Sequence, residues 1–226
     1  MNKELLIKLL ECAALSYFDK QPILPGEKLY TIDSEKTGIQ CYIRKKNDML
    51  IISFRGTDSC KDWLTDLKFW KKVIPYNNTS SRIRVHAGFI NAYKSEEVRG
   101  RIMEFVTPDI YFIRITGHSL GAALSVLCAV DLQYNFPKKD IEVALFGCPR
   151  VGNKAFAESY NKRIFKTLRV ENGNDIVTKI PPCILGYYHV GIRIHIGMPR
   201  IIGVFSTLDH YTQKYYENLW RKINFN

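Results

Sequence analysis

The sequence has no apolar run long enough to cross a membrane, and it lacks the repeats and linkers of a multidomain protein. A membrane-spanning helix needs about 20 consecutive apolar residues, and the longest runs here are far shorter. The 226 residues are 46% hydrophobic and 24% charged, as in a globular protein with one sizeable core. We therefore expect residues 1–226 to form a single domain.

The first residues lack the features of a secretory signal peptide. Lys8 and Glu11 interrupt the apolar stretch, and no small-residue cleavage site follows. One face of an amphipathic helix is instead formed by six apolar residues, Leu5, Leu6, Leu9, Leu10, Ala13 and Ala14. These features predict a protein that is cytoplasmic or peripheral to a membrane.

Closely spaced cysteine pairs are absent as well. The six cysteines are Cys12, Cys41, Cys60, Cys128, Cys148 and Cys183. None has the Cys-x-x-Cys spacing typical of zinc sites, so a bound metal is not expected. Without an export signal, we expect reduced thiols that lie mostly in the core.

The charge balance is positive but is not concentrated in one stretch. The chain has 33 Lys and Arg against 22 Asp and Glu, a net charge of +11. No nucleic-acid-binding motif accompanies this excess, so a nucleic-acid partner is not expected. Two interpretations remain, a solvated basic surface or attraction to an anionic membrane or lipid interface.

The most informative segment is residues 115–121, Ile-Thr-Gly-His-Ser-Leu-Gly. It has the Gly-x-Ser-x-Gly pattern of a nucleophile elbow, in which a tight turn between a strand and a helix exposes a serine. The context fits, because an apolar run precedes the pattern and an Ala/Leu-rich stretch follows it. The turn is strained and the helix packs closely, so Gly117 and Gly121 remove side chains that would clash. The pattern predicts Ser119 as a nucleophile, with the amide of Leu120 pointing at a forming oxyanion.

Strands and helices alternate through the middle of the chain, which favours a mostly parallel sheet covered by helices on both faces. The predicted strands are 38–44, 49–55, 111–116, 141–146, 165–170 and 188–196, with a hairpin turn at 45–48. The predicted helices are 89–106, 119–134, 154–161 and 210–223. Tyr216 and Trp220 are expected on the apolar side of the last helix.

A serine nucleophile needs a general base and a carboxylate that orients this base, and in this fold both follow the serine in the chain. His189 and His195 are six apart in one predicted strand and are interpreted as structural residues on the same side. His210 begins the last helix after a loop and can reach over the sheet edge. It is preferred as the base over His189, with His195 third. Asp209 is interpreted as the N-cap of that helix.

The acid is chosen by its position relative to the strands. Asp131 lies on the helix after the elbow, about 18 Å from the serine at 1.5 Å per residue. Asp140 and Glu142 begin a strand, at the wrong end of the sheet. Glu171 and Asp175 lie past the C-terminal end of a strand, where ligands bind in open α/β sheets. Asp175 is preferred because it is on the loop itself.

A second oxyanion donor should come from a loop after an earlier strand. The segment Phe54-Arg-Gly-Thr57 follows the strand that begins at Met49. Gly56 allows the backbone to approach closely, and Thr57 offers an amide and a hydroxyl. An ordinary strand-end turn is the alternative.

Residues 61–74 follow that loop, with Trp63, Leu67, Trp70 and Ile74 on one helical face. Such a stripe usually packs in a core. Its position beside the oxyanion loop is also consistent with an amphipathic lid that opens at a lipid interface.

Taken together, seven segments resemble the class 3 lipases, the fungal-type triacylglycerol lipases of the α/β-hydrolase group. They are IISFRGT at 51–57, Asp-Trp and Asp-Leu within 62–67, VHAGF at 85–89, TGHSLGA at 116–122, FGCPRVGN at 146–153, NDIVTKIPP at 174–182 and DHY at 209–211. The resemblance implies an α/β-hydrolase fold: a mostly parallel central sheet flanked by helices, with an amphipathic lid.

The resemblance also implies roles for individual residues. The triad would be Ser119, Asp175 and His210. The oxyanion hole would be formed by Thr57 and Leu120. The lid and substrate-binding surface would include Trp63, Leu67 and Trp70, whereas His86 and His189 would be structural.

The activity implied is hydrolysis of carboxylic esters of lipids through an acyl-enzyme, with no cofactor. Phospholipase A1 or a soluble-ester carboxylesterase is the alternative. A non-catalytic scaffold that binds a lipid or a partner protein belongs to a different class, and the complete triad argues against it.

Overall fold

The computed structural model describes residues 1–57, 71–73 and 80–225 of the chain. The strands in these ranges are β1 (Lys28–Ser34), β2 (Ile39–Lys46), β3 (Met49–Phe54), β4 (Lys71–Val73), β5 (Arg84–His86), β6 (Phe112–His118), β7 (Asp140–Phe146), β8 (Thr167–Asn172) and β9 (Ile192–Ile196). Seven of them form one sheet in the order β1-β2-β3-β6-β7-β8-β9, and β4 pairs with β5.

The large sheet is antiparallel at one side and parallel elsewhere. β1, β2 and β3 form an antiparallel meander, whereas β3, β6, β7, β8 and β9 run parallel to one another. The predicted hairpin is confirmed, since Lys46 pairs with Met49 and Asn47 takes the positive φ of 52° that such a turn requires. The carboxyl ends of the parallel strands therefore meet at one edge of the sheet.

Helices cover both faces of this sheet, as expected for an α/β-hydrolase fold. They are α1 (Lys3–Leu15), α2 (Ala87–Tyr93), α3 (Arg101–Phe105), α4 (Leu120–Asn135), α5 (Lys154–Arg163) and α6 (Thr212–Phe225). One face packs against α1 and α6, through residues such as Leu9 and Tyr215. The other face packs against α2, α3, α4 and α5. Within the described ranges, no helix is both long and apolar enough to pass through a bilayer.

The Ala/Leu-rich stretch after the elbow forms the most buried helix of the described chain. Every residue of α4 from Gly121 to Leu132 is buried. A helix that is apolar on all sides is stable only inside a protein, so α4 fixes the turn before it against the sheet.

The predicted helix over 89–106 is wrong as a continuous element. α2 ends at Tyr93, and Ser95 has an extended backbone with ψ 143°. A π-helical turn, Glu96–Gly100, then leads into α3. This turn begins after Ser95 because the amides of Val98 and Arg99 donate to the Ser95 carbonyl.

The last strand and the last helix also differ from the prediction. β9 begins only at Ile192, since Gly191 has a φ of +73°; the placement of His189 and His195 in one strand is therefore wrong. On α6, Tyr215 and Leu219 are buried, whereas Tyr216 is 39% and Trp220 45% exposed. The apolar side assigned to these last two residues is wrong, because the helix turns Tyr215 towards the sheet edge.

The prediction that the cysteines lie mostly in the core is confirmed for the described part of the chain. Cys12, Cys41, Cys128 and Cys148 carry free thiols and are buried, whereas Cys183 is exposed. Cys60 lies outside the described residues.

Candidate active site

Ser119 lies in a strained turn between β6 and α4. Its backbone has φ 60° and ψ −126°, a region that costs a non-glycine residue about 1–3 kcal/mol. The surrounding structure holds the turn, because the Ser119 amide donates to the carbonyl of Phe146 at 3.0 Å. A residue held in such strain by its neighbours is typical of a functional site.

The two glycines of the motif are required by close backbone approach. A Cβ on Gly117 would lie 2.4 Å from the carbonyl carbon of Gly121. A Cβ on Gly121 would lie 2.2 Å from the carbonyl oxygen of Phe54. Both distances are far below normal contact, so the steric reason inferred from the sequence agrees with the structure.

Asp175 and His210 form a buried pair past the carboxyl ends of the strands. His210 Nδ1 donates to Asp175 Oδ2 at 2.9 Å, and both side chains are nearly inaccessible to solvent. With Nδ1 as the donor, Nε2 keeps the free lone pair of the neutral ring. Ser119 Oγ and His210 Nε2 are both buried, and neither has a hydrogen-bond partner among the described residues.

The neighbours of Asp175 keep it ionised. Burial by itself would raise the pKa of this carboxyl, but the charge of His210 and hydrogen bonds from His210 and Tyr215 outweigh burial and lower it. Tyr215 donates its hydroxyl to Asp175 Oδ2 at 2.5 Å, and the amide of Val177 donates to Oδ1 at 2.8 Å. Both carboxylate oxygens are thereby fixed.

A second histidine lies against His210. The rings of His118 and His210 are 4.4 Å apart, and His118 Nε2 donates to the His210 carbonyl at 2.7 Å. Its Nδ1 therefore accepts from the Tyr17 hydroxyl, at 2.8 Å. Burial, and then the charge of His210, lower the pKa of His118 to about 3, so this ring is neutral.

The two expected oxyanion donors border one cleft. Thr57 and Leu120 line a cavity of about 410 Å³, together with Arg55 and Gln40. The Thr57 hydroxyl is buried and has no hydrogen-bond partner among the described residues. Leu120 is the first residue of α4, where backbone amides point out of the helix.

The loop that carries Thr57 approaches the elbow closely. A Cβ on Gly56 would lie 2.8 Å from the His118 carbonyl oxygen and 2.0 Å from the Tyr17 hydroxyl. Only glycine fits at this point, which agrees with the close approach inferred from the sequence.

The other acidic candidates already have cationic or polar partners. Glu171 is bound by Arg169, Lys179 and Arg193. Asp131 is bound by Arg99 at 2.7 Å and by Tyr93 at 2.9 Å. Asp140 and Glu142 lie at the amino end of β7, at the opposite edge of the sheet.

The side chains of the remaining histidines form hydrogen bonds with backbone groups. His189 Nε2 donates to the Thr178 carbonyl at 2.8 Å, and His195 Nε2 to the Met198 carbonyl at 2.9 Å. His86 Nδ1 accepts from the amide of Gly88 at 3.1 Å, at the start of α2.

The interpretation of Asp209 as an N-cap is wrong. Its carboxylate instead accepts from the amide of Asn174 at 2.8 Å, and α6 begins only at Thr212. Asp209 thus holds the loop that carries Asp175 beside the turn that carries His210.

Sequence reasoning missed Tyr215, Tyr17 and the role of His118. No local pattern marks the tyrosines as site residues, since each contacts a partner far away in the chain. Trp63, Leu67 and Trp70 lie outside the described residues. Within the described chain, no group of three or more His, Cys, Asp or Glu side chains could hold a metal ion.

Comparison with known proteins identifies the family. The family model described as lipase (class 3) matches residues 51–185. The lipase of Rhizomucor miehei is 33% identical over 165 residues, 70% of this chain and 41% of that protein. Phospholipase A(1) DAD1 of Arabidopsis thaliana is 34% identical over 154 residues, 60% of this chain and 34% of that protein.

Solved structures agree with the sequence comparison. The crystal structure of a lipase from Rhizopus microsporus var. chinensis has a TM-score of 0.79 at 28% identity, with 92% of this chain and 85% of that chain covered. The native propeptide complex of Rhizomucor miehei lipase has a TM-score of 0.80 at 25% identity, over 94% and 81%. The chain spans about a third to a half of the length of the curated relatives it matches. Since the family model covers more than half of the chain and the fold agrees, this chain belongs to the class 3 lipases.

Proposed function

We propose that the chain hydrolyses carboxylic esters of lipids by acyl transfer to Ser119 and then to water. The observation that carries this proposal is the buried Asp175–His210 pair, 2.9 Å apart. The ring of His210 lies 4.4 Å from that of His118, the residue directly before the serine of the strained elbow. A serine, a base with a free ring nitrogen and an orienting carboxylate are the groups that acyl transfer needs.

In the first step, His210 Nε2 takes the proton of Ser119 as Oγ bonds to the ester carbonyl carbon. The carbonyl electrons move to oxygen, and the amide of Leu120 and the amide or hydroxyl of Thr57 donate to this oxyanion. Each such donor contributes about 3–4 kcal/mol in comparable sites. The intermediate collapses, and the leaving alkoxide takes the proton from His210.

In the second step, water attacks the acyl-enzyme. His210 takes one proton of the water and returns it to Ser119 Oγ when the fatty acid leaves. Asp175 is not protonated in either step, because its lowered pKa keeps it ionised. Its role is to hold the Nδ1–H tautomer and to stabilise the imidazolium.

Lipid esters are proposed as substrates because the relatives carry such names. They include a secreted mono- and diacylglycerol lipase of Fusarium solani and phospholipase A1 proteins of plants. Acylglycerols are the first candidate, and phospholipid hydrolysis at the A1 position is the second, favoured by the 34% identity to DAD1. The named relatives include secreted and chloroplastic proteins, so the cytoplasmic or membrane-peripheral location stays a prediction.

The test compares hydrolysis of short to long p-nitrophenyl acyl esters by the wild-type protein and by Ser119→Ala. The matched control is Ser125→Ala, because Ser125 is also buried on α4 but bonds only the Gly121 carbonyl, at 2.8 Å. We expect hydrolysis and labelling by a fluorophosphonate probe to be lost in Ser119→Ala and kept in the control. A folded wild-type protein that takes no label would refute the proposed enzymatic activity and support a binding scaffold.

Substrate class is tested by acylglycerol emulsions beside phospholipid vesicles. Release of the sn-1 fatty acid from phospholipid at a rate above that from acylglycerol would favour the A1 alternative. A chain-length optimum among short esters, with no activity on either lipid, would favour a soluble-ester esterase.

The lid is also part of the proposal. Trp63→Ala should lower activity on emulsions more than on short soluble esters, because a lid acts at the lipid surface. Trp220→Ala is the control, since Trp220 is partly exposed on α6. Equal losses on both substrates would count against a lid role for Trp63.

A further inference from the structure

The loop that carries Asp175 begins and ends at a buried ion pair. Glu171 lies near the carboxyl end of β8, and Lys179 is the last residue of the short helical turn Val177–Lys179. Lys179 Nζ donates to Glu171 Oε2 at 3.2 Å, and the two side chains are 10% and 4% exposed. Asp175 is midway between these residues in the chain. The ion pair therefore closes the loop at whose centre the proposed acid lies.

Hydrogen bonds inside the loop connect the helical turn to the carboxylate of Asp175. The amide of Val177, the first residue of the turn, donates to Asp175 Oδ1 at 2.8 Å. Thr178 Oγ1 donates to the Asp175 carbonyl at 2.8 Å. The other carboxylate oxygen, Oδ2, is the one that His210 binds. Because one oxygen is fixed by the turn, a displacement of the turn would rotate the second oxygen away from the proposed base.

Segments outside the loop bind the end of the turn as well. His189 Nε2 donates to the Thr178 carbonyl at 2.8 Å. Arg150 Nη1 donates to the carbonyls of Lys179 and Pro181. The side chain of Lys179 adds the link back to β8, the strand from which the loop starts.

Glu171 has one negative charge for three cations. Arg169 of β8 donates to Oε1, whereas Lys179 Nζ and Arg193 Nε are 3.2 and 3.1 Å from Oε2. His189 Nε2 is 3.9 Å from Oε1. Arg169 and Arg193 lie on strands of the sheet, but Lys179 lies on the loop. If the charge of Glu171 is removed, the two arginines repel Lys179, and the loop moves more readily than the paired strands.

We propose that Glu171 is a positioning residue for the proposed acid: through its ion pair with Lys179 it holds the helical turn where the Asp175 carboxylate faces His210. Glu171 was the alternative candidate for the acid in the sequence, and it then acts through Asp175 and not on the substrate. The inference rests on the proposed function, because it concerns the same triad.

The first test removes each of the two cations that share Glu171 Oε2. Lys179→Met and Arg193→Met both leave Glu171 with two cations, so both variants should fold. Lys179→Met should lower kcat on a short p-nitrophenyl ester about tenfold and leave KM unchanged, because a small misplacement of a catalytic group slows the chemistry. Lys179→Arg keeps the charge and should keep most of the activity. Arg193→Met should leave kcat unchanged, since Arg193 lies on β9, outside the loop. Equal losses in Lys179→Met and Arg193→Met would overturn the proposal.

Glu171→Gln tests the carboxylate itself. It should lower kcat about tenfold as well, and it should also lower stability, because it leaves buried cations without their partner. Glu27→Gln is the matched control: Glu27 binds Arg44 at 2.6 Å, with side chains that are 2% and 4% exposed. This control breaks a buried ion pair far from the acid and should lower stability alone. A folded Glu171→Gln variant with the kcat of the wild type would contradict the role given to Glu171.

Proton NMR without substrate separates this inference from the proposed function. The proton between His210 Nδ1 and Asp175 should give a signal far downfield, which its loss in His210→Gln assigns. The signal should be kept in Arg193→Met and Glu27→Gln, and shifted or broadened in Lys179→Met and Glu171→Gln. An unchanged signal in the last two variants would overturn the proposal. A wild-type protein that shows the signal but hydrolyses no ester would refute the proposed function alone.

Discussion

At the scale of single residues, the ionisation of Asp175 depends on its neighbours. It is fully buried, and burial alone would raise its pKa. The opposing contributions come from His210 and Tyr215, which lower its pKa. We therefore propose that Tyr215 is a positioning residue that acts through Asp175.

Tyr215→Phe should lower kcat on a soluble ester about tenfold and leave KM unchanged. The ring is kept, with its contacts to His118 and Phe146, but the hydroxyl 2.5 Å from Asp175 is lost. A hydrogen bond to a charged group contributes about 1.5–3 kcal/mol. We expect a part of this energy to be lost from the stabilisation of the transition state. Tyr160→Phe is the control: it removes a buried bond to Thr167 at 3.0 Å and should change stability only. An unchanged kcat in Tyr215→Phe would contradict the role given to it.

Thr57 allows a direct test of the second oxyanion donor. Its buried hydroxyl has no partner in the described chain, so we expect it to donate to the oxyanion. Thr57→Val should then lower kcat about 10²–10³-fold, the loss typical of one donor, whereas Thr57→Ser should keep most of the activity. If the valine variant is as active as the serine variant, the amide of residue 57 is the donor and the hydroxyl is not.

Some of these residues could be predicted from the sequence and others could not. Ser119 and its two glycines obey a local steric rule, which a short pattern expresses. Tyr215 contacts Asp175 across 40 residues, and Tyr17 contacts His118 across 101. Such contacts follow from how helices pack on the sheet, which a local pattern does not contain.

At the scale of elements, α1 connects the core to the site. Its Leu9 is fully buried, and the Leu9 carbonyl accepts from Thr116 Oγ1 of β6 at 3.0 Å. Two residues after the helix ends, Tyr17 reaches His118. A change in the packing of α1 therefore affects both the stability of the sheet and the position of that tyrosine.

Leu9→Ala should lower the free energy of unfolding by about 2–5 kcal/mol, because a buried leucine leaves a cavity when it is truncated. Urea unfolding followed by circular dichroism measures the change. Leu24→Ala is the control, because Leu24 is 51% exposed, and it should stay within about 0.5 kcal/mol of the wild type. If Leu9→Ala lost no more stability than the control, α1 would not be a packed part of the core.

The elements that the sequence predicted well are those with a strong local cause. The hairpin between β2 and β3 has a turn residue suited to positive φ, and α4 is apolar on all sides. The break between α2 and α3 was missed, because it depends on the extended backbone of Ser95 and on the π-helical turn Glu96–Gly100, which the spacing of apolar residues does not reveal. The late start of β9 depends on Gly191, whose conformation the alternation of residues does not reveal.

At the scale of the whole molecule, the alternation of strands and helices was enough to predict the parallel sheet. The position of the site follows from this topology, because Thr57, Ser119 and Asp175 each come shortly after the carboxyl end of a parallel strand. The identity of the base was less certain from sequence alone, with three histidines after the serine. Among those three, only His210 is hydrogen-bonded to Asp175, and this contact supports His210 as the proposed base.

The same burial makes the stability of the folded protein depend on pH. Two histidines are neutral in the folded state: burial lowers the pKa of His118 to about 3 and that of His189 well below its ordinary value. In the unfolded chain both have a pKa of about 6.5. As the pH falls below about 6.5, the unfolded state binds protons that the folded state does not bind. The free energy of unfolding must therefore fall with pH, by about 1.4 kcal/mol per pH unit for each histidine.

Asp175 acts in the same direction but in a lower range of pH. Its lowered pKa stabilises the folded protein above the unfolded value of about 3.9, and this contribution is lost only as the pH falls below that value. The window from about pH 4.5 to 6 thus isolates the histidines.

Urea unfolding across this window measures the slope of the free energy of unfolding against pH. His118→Gln should reduce the wild-type slope by about 1.4 kcal/mol per pH unit, while the partly exposed His195→Gln leaves it unchanged. Removing His118 also lowers stability by an amount that does not depend on pH, and this loss does not change the slope. An equal slope in His118→Gln and the wild type would mean that this ring is protonated in the folded protein, and that it cannot accept the hydrogen bond from Tyr17.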